Sequence, residues 1–474
     1  MITPNTAIFQ QQPFRDSAVH SVVDNLMQDI RAETFVVETL DLASVCAEIT
    51  RDLVQVALQA NHQTKAGFVF DSFVHGMLLR RGHRLRTFLR KLAAAIGKFG
   101  HMVGISPRAL KICFLDGDSH NQGERPVAFE ISGNTYVLKL RDPRPYLVVQ
   151  HVLRKLEASL SIELSPPRIW HDATFDWYVM PYLANMNEAH NLIEREAFFT
   201  RLGALAATAY SLQMTDIHLD NLITTRGIPV IIDAECIFYG YSEYGQQSAE
   251  HRLISTGLVG IDASLSSICG GSTPVLEFGA EERCGELKYL RSSLGVQPNR
   301  LKDQAGKVID PADYTRSIWD GFTRAYKTLF SFREELSAEV QTISKGMRSR
   351  FLLRLTMQYM TVIEMLRRPT TSDVTVRLGE ITSVFLKAIG LSKSIFEEAK
   401  RCELLDMLDS DVPFFWIEDG DSGPALMHWS GIVHLLPEED LLKNRIRRAI
   451  ESINMDDVDA LRPVFSDFFK MAIT

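Results

Sequence analysis

The sequence predicts an α+β protein in which a small antiparallel sheet follows one helical region and precedes a longer, mainly helical one. Three observations predict it. Residues 1–105 carry apolar side chains at helical spacing. The segments KICFL (111–115), PVAFEI (126–131) and TYVLKL (135–140) are short and β-rich, with Gly, Asn and Asp turns between them. Helical spacing then returns beyond Asn187.

In the first region Asp16 is placed to cap a helix whose apolar positions are Val19, Val22, Leu26 and Ile30. A second amphipathic helix is expected from Phe73 to Ile96. It carries the basic cluster Arg80, Arg81, Arg84, Arg86, Arg90 and Lys91, which reads as a solvated face or as a dock for an acidic peptide. After the sheet, a helix is predicted from Tyr146 to Leu160. Two strand-like pieces follow, PPRIWH (166–171) and DWYVMPYL (176–183). The later helical region is interrupted by NLITTRGIPVIIDAE (221–235), a hairpin-like unit with Arg226-Gly227 at its turn. Helices are then expected over Thr315–Ala338, Ser349–Arg367, Val376–Ile389 and Glu438–Ile453. The predicted divisions are 1–105, 106–186 and 187–474. A small sheet, a helix, a hinge-like strand and a helical lobe is the element order of a bilobal kinase.

Composition narrows the function class. The 474 residues are 46% hydrophobic and 23% charged, enough apolar material for a large core. A formal net charge of −8 argues against nucleic-acid binding, which needs a basic face to neutralise phosphates. The six cysteines are scattered, without a CxxC pair or a Cys/His cluster at metal spacing, so a reducing compartment is expected. The N-terminus lacks the charged start and apolar core of a signal peptide, and no apolar run is long enough to span a bilayer. A cytoplasmic protein without an integral membrane segment is the expectation.

The most informative stretch is TDIHLDNLITTRGIPVIIDAECIF (215–238). Asp216, His218 and Asn221 form D-x-H-x-x-N, and an apolar strand then delivers Asp233 and Glu235. Phosphoryl transfer needs a carboxylate at the attacking hydroxyl and oxygen ligands for the Mg²⁺ that bridges the ATP phosphates. Asp216 suits the first task, with His218 beside it in the motif. Asn221 and Asp233 suit the second, with Glu235 as a supporting acid. Lys139, at the end of a predicted strand, and Arg141 are the candidate cations for the nucleotide phosphates. Glu157 is the nearest acid to orient Lys139, and YVMPY, with Tyr178 and Met180, reads as an adenine-binding hinge. Walker A and kinase-type glycine-rich loops are both absent.

The stretch LDGDSHNQGERPVAFEISGNTYVLKLR (115–141) resembles the G-D-x-H-x-x-G-R-x-V … Y-K-P-R segment of the dehydratase domain of class II (LanM-type) lanthipeptide synthetases. Further pieces are similar to that family in the same order: DIHLDNLI, PVIIDAE, HRLISTGLVG, IDASLSSICGG, SRFLLRLTMQY and DSDVPFF. Together they span roughly residues 105–435. The resemblance implies a lipid-kinase-like fold that phosphorylates Ser or Thr of a precursor peptide with ATP and Mg²⁺. It then eliminates the phosphate to leave dehydroalanine or dehydrobutyrine. Carried onto matching positions, the family's elimination groups are Asp118, His120 and Lys139, with Arg350 and Thr356 on the departing phosphate.

This sequence departs from the pattern where Leu138 and Leu140 flank the key Lys, and where Glu124 is inserted before Arg125. The chain stops at Thr474 without the family's cyclase segment, so a separate cyclase partner is expected. Two alternatives stay open: a kinase that stops at phosphorylation of a protein, peptide or small molecule, and a catalytically silent peptide-binding scaffold.

Overall fold

The chain divides into two compact units: Met1–Leu140 with Leu355–Lys387 and Glu403–Pro413, and Arg141–Arg354 with Ala388–Cys402 and Phe414–Thr474. The structure is a computed structural model. It describes residues 17–61, 72–115, 119–164, 166–184, 186, 188–189, 191–217, 221–240, 248–258, 300–354, 356–367 and 393–469. The expected helix Val376–Ile389 lies outside those residues, as do the candidates Asp118 and His218.

The first unit begins with helices α1 (Ser17–Arg31), α2 (Thr34–Thr39), α3 (Leu42–Asn61) and α4 (Ser72–Met102). Their apolar stripes meet in one core: Val19, Val22, Leu26 and Ile30 from α1, Val45, Ile49 and Leu53 from α3, and Leu78, Leu85, Leu89, Leu92, Ile96 and Phe99 from α4 are all buried. The three strands β1 (Ile112–Phe114), β2 (Val127–Ile131) and β3 (Asn134–Lys139) pair antiparallel in sequence order. Val127 sits opposite Leu138, which leaves Lys139 at the end of the ladder.

The basic cluster on α4 is part solvated face and part buried network: Arg80, Arg90 and Lys91 are exposed, whereas Arg81 and Arg84 are buried. Each of its six cations has an acidic partner: Arg80 and Arg84 pair with Asp409, Arg81 with Asp52, Arg86 with Asp29 and Glu33, Arg90 with Glu33, and Lys91 with Glu124. The carboxylates come from distant segments, which periodicity along one helix does not reveal.

In the second unit, α5 (Arg144–Leu160) precedes β4 (Tyr178–Pro181), and α6 (Leu192–Ser211) leads to the hairpin β5 (Leu222–Thr225) and β6 (Ile228–Ile231). The hairpin turns at Arg226 and Gly227, whose φ values of 50° and 69° are the left-handed geometry of a tight two-residue turn. The short α7 (Ala249–Ser255) comes next in the chain. Of the two strand-like pieces upstream, only Tyr178–Pro181 is a strand; PPRIWH contributes one bridge, Trp170 to Val179.

The expected helix Thr315–Ala338 is two helices, α8 (Thr315–Ser331) and α9 (Arg333–Ile343), divided at Phe332. Helix α8 crosses α6 where Gly203 and Gly321 lie. A Cβ on Gly203 would sit 1.9 Å from the Ile318 carbonyl oxygen, and one on Gly321 would sit 2.0 Å from that of Thr200. Only glycine permits this backbone approach.

The segment Ser349–Arg367 is not one helix either. Ser349–Phe351 forms β7, and α10 begins only at Thr356 and runs to Arg367. Strand β7 is the edge of a second antiparallel sheet with β8 (Phe415–Gly420), β9 (Gly423–His428) and β10 (Gly431–Leu435). This sheet stands in the region expected to be mainly helical. Its first turn, Gly420 to Gly423, is written in the sequence as DGDSG, a signal that the helical reading passed over. Phe351, Phe415, Ile417 and Leu426 pack beneath it with Ala399 and Cys402 of α11 (Lys393–Leu408). The chain closes with α12 (Leu442–Glu451) and α13 (Asp456–Phe469). Among the described residues no helix is long and apolar enough to cross a membrane.

Candidate active site

In the second unit, the turn that leaves α6 delivers Asp216 with a φ of 65°, a left-handed conformation that is costly for a residue bearing a Cβ. Its neighbours hold it there. Thr215 N–H donates to the Cys236 carbonyl and Ile217 N–H to that of Thr256, both at 3.0 Å. The Asn221 amide donates to the Asp216 carbonyl at 2.8 Å. Asn221 also accepts from Ile232 N–H through its own carbonyl at 2.9 Å, so it ties the Asp216 turn to the hairpin's exit.

That exit carries Asp233 and Glu235. Arg141 donates to Glu235 and approaches Asp233 Oδ2 at 3.4 Å. Arg350, on β7, donates from its side chain to Glu235 and lies 3.7 Å from Asp216 Oδ2. The Arg350 backbone N–H also reaches the Glu235 carbonyl at 3.1 Å, and Ser349 Oγ donates to the Ile237 carbonyl at 2.8 Å. Strand β7 therefore lies along the segment that follows Asp233.

Phe414 lies beneath both guanidiniums, with its ring centre 5.7 Å from Arg141 Cζ and 5.3 Å from Arg350 Cζ. It belongs to the DSDVPFF motif. Burial opposes the charge on each guanidinium, but Glu235 outweighs it, so both are held above their ordinary range. Cys236, beside Arg350, is pushed well up by burial and stays a neutral thiol.

Six of the predicted residues thus share one unit and one neighbourhood: Arg141, Asp216, Asn221, Asp233, Glu235 and Arg350. The arrangement differs from expectation in one respect, because Arg141 and Arg350, assigned to phosphates, lie on the carboxylates assigned to the metal and the substrate hydroxyl. Among the described residues, no group of three or more His, Cys, Asp or Glu side chains forms a metal cage. The donors present are all oxygens, two carboxylates and an amide, and Mg²⁺ needs only one or two carboxylates when phosphates and waters complete its shell. The residues fit that ion.

Tyr178 and Met180 belong to the same unit as buried side chains of β4. The Tyr178 ring stacks on Tyr146 with centres 5.9 Å apart, so its side chain is part of the core and only its backbone suits a nucleotide contact. Glu157 accepts from Leu164 N–H at 2.6 Å, in a connection just beyond α5.

His120, Lys139 and Thr356 belong to the first unit. Lys139 and His120 are buried and Thr356 is half-buried. His120 lies in a loop closed on itself by reciprocal backbone bonds with Glu124, at 2.9 and 2.7 Å. Its Nδ1 is 3.3 Å from the Val412 carbonyl oxygen. A carbonyl can only accept, so a hydrogen bond at this contact is donated by Nδ1–H.

A family described as a domain of unknown function (DUF4135) matches residues 71–418. The lacticin 481/lactococcin biosynthesis protein LcnDR2 of Lactococcus lactis subsp. lactis is 25% identical over 250 residues. That match takes in 47% of this chain and 26% of the relative, so the chain spans about a quarter of the curated protein it resembles.

Proposed function

Because the chain belongs to the LanM-associated family of DUF4135 domains, we propose that it is a peptide Ser/Thr dehydratase with a kinase-like fold, acting on a precursor peptide in lanthipeptide-type biosynthesis. The observation that carries this reading is the cluster of Asp216, Asn221, Asp233, Glu235, Arg141 and Arg350 around one hairpin.

ATP with Mg²⁺ supplies the phosphoryl group and the charge neutralisation between phosphates. Asn221 and Asp233 would hold the ion, and Asp216 orients the substrate hydroxyl and accepts its proton. The strained backbone at Asp216 supports such a role, since strain of this kind persists where the surroundings impose it. Glu235 aligns the two guanidiniums. Arg350 is then the donor for the phosphate that leaves.

In the elimination half-reaction a base takes the Cα proton. The C–H electrons form the Cα=Cβ bond, and the Cβ–O bond breaks to release phosphate. His120 is the group in the first unit suited to proton transfer. Lys139 and Thr356, also in the first unit, are carried by the family motif, as are Asp118 and His218.

Incubating the full chain with Mg·ATP and a candidate precursor peptide tests the reading by mass spectrometry. Loss of water from Ser or Thr is the expected product. Phosphopeptide that never proceeds favours a kinase alone, and failure to bind Mg·ATP in calorimetry overturns both readings in favour of a scaffold.

A further inference from the structure

The DSDVPFF motif has a second role, in the first unit. We propose that Asp411 is a positioning residue that clamps the 409–412 turn onto the His120 loop and thereby fixes the His120 imidazole in its Nδ1–H tautomer. The inference deepens the dehydratase reading, on which its catalytic meaning rests.

Asp411 is fully buried. Its Oδ2 accepts from Gly123 N–H at 2.8 Å, and Arg84 Nη1 lies 3.4 Å from the same oxygen. Arg81 lies 3.8 Å from Oδ1. Arg81 is itself held by Asp52 in a bidentate pair at 2.7 and 2.9 Å. Its remaining donors reach the Ser410 carbonyl at 3.0 Å and Ser119 Oγ at 2.9 Å. The same two segments are joined again by Val412 N–H on the Ser119 carbonyl, at 2.9 Å. Asp411 thus stands between the turn that presents the Val412 carbonyl and the loop that presents the His120 ring.

The loop needs such restraint. Asn121, Gln122 and Gly123 are three consecutive residues with φ of 47°, 73° and 88°. Two of them bear a Cβ, so the conformation persists only where the surroundings over-determine it. Glu124, the extra residue in the motif, contributes by accepting from Asn121 Nδ2 at 2.8 Å and pairing with Lys91 at 2.6 Å.

The charges that act on Asp411 include Arg81 and Arg84 from α4 and Asp406 from α11. Asp52 of α3 acts through Arg81. Burial, with Asp406 adding to it, pushes Asp411 up to about 6 against the pull of Arg81 and Arg84.

The test is ¹⁵N NMR of histidine-labelled full-length protein, with the His120 signals assigned by their loss in His120→Gln. The wild type is expected to show Nδ1–H and a bare Nε2, and Asp411→Ala to show the opposite tautomer or a mixture. Should Asp411→Ala not fold, Asp411→Asn, which keeps the shape but removes the charge, is read in the same way. An unchanged His120 tautomer in a folded Asp411 variant overturns the proposal, as does an Nε2–H tautomer in the wild type. A synthetic phosphoserine peptide adds the chemical readout: elimination should fall about a hundredfold in the variant while phosphorylation changes little. If the tautomer shifts but the wild type eliminates nothing, the positioning role stands and the dehydratase reading fails.

Discussion

Arg350 meets Glu235 twice, by its guanidinium on the carboxylate and by its backbone N–H on the Glu235 carbonyl at 3.1 Å. The double contact joins the edge strand of one sheet to the segment leaving the β5–β6 hairpin. It makes Arg350 both a structural strut and a cation 3.7 Å from Asp216 Oδ2.

Replacing Arg350 with Ala tests the two roles together. The side chain is 6% exposed, so its loss leaves Glu235 half-buried with Arg141 as its cation partner and is expected to cost about 3 kcal/mol. Chemical denaturation measures that. On a competent peptide the variant is expected to accumulate phosphopeptide, and normal dehydration would remove Arg350 from the elimination step.

Asp233→Asn keeps the shape of the hairpin exit while removing one carboxylate charge. Both phosphorylation and dehydration are expected to fall below detection, with the melting temperature little changed. Retained phosphorylation would show that Asp233 is not needed to hold the metal.

Acid should weaken the first unit through Asp52. Burial raises its proton affinity, but the charges of Arg81 and Arg125 win, and the carboxyl is held well below its ordinary range. A depressed native value contributes stability above the unfolded carboxylate's range and loses it as pH falls through that range. Asp411, raised to about 6, acts in the opposite sense: its contribution is present below the ordinary carboxylate range and lost as pH rises through 6. Thermal melts from neutral pH down to about 3 should therefore show a steeper acid loss in the wild type than in Asp52→Asn. Parallel curves would deny the pair this role.

Gly203→Ala is expected to destabilise by about 3 kcal/mol, because the added methyl meets backbone that only a shift of α8 can relieve. A melting temperature equal to the wild type's would mean that the helices slide apart without cost.

The hairpin was legible in the sequence because its signals are local: Arg226-Gly227 at the turn, apolar strands on either side, and acids at the exit. The β8–β10 sheet has equally local marks, in DGDSG and the Trp429-Ser430 turn before Gly431, but it lies between helical segments whose periodicity is the stronger signal. The break at Phe332 and the strand at Ser349–Phe351 had weaker local marks, since Ser349 and Arg350 extend along residues 235–237 through contacts more than a hundred positions apart. The partners of the α4 cations are harder still, because Asp409 and Asp411 lie more than three hundred residues from Arg84.

By itself the sequence determined the residue types and their order: the D-x-H-x-x-N loop, the strand that ends in D-A-E, the helical stripes and the family motifs. These are set by neighbours along the chain, where spacing alone defines a face or a turn. Only the tertiary structure decided which charges meet. It placed Glu235 between two arginines, put Phe414 beneath both, and closed Asp411 over the His120 loop. Ion pairing depends on distance in space and on burial, and neither quantity is carried by position in the chain.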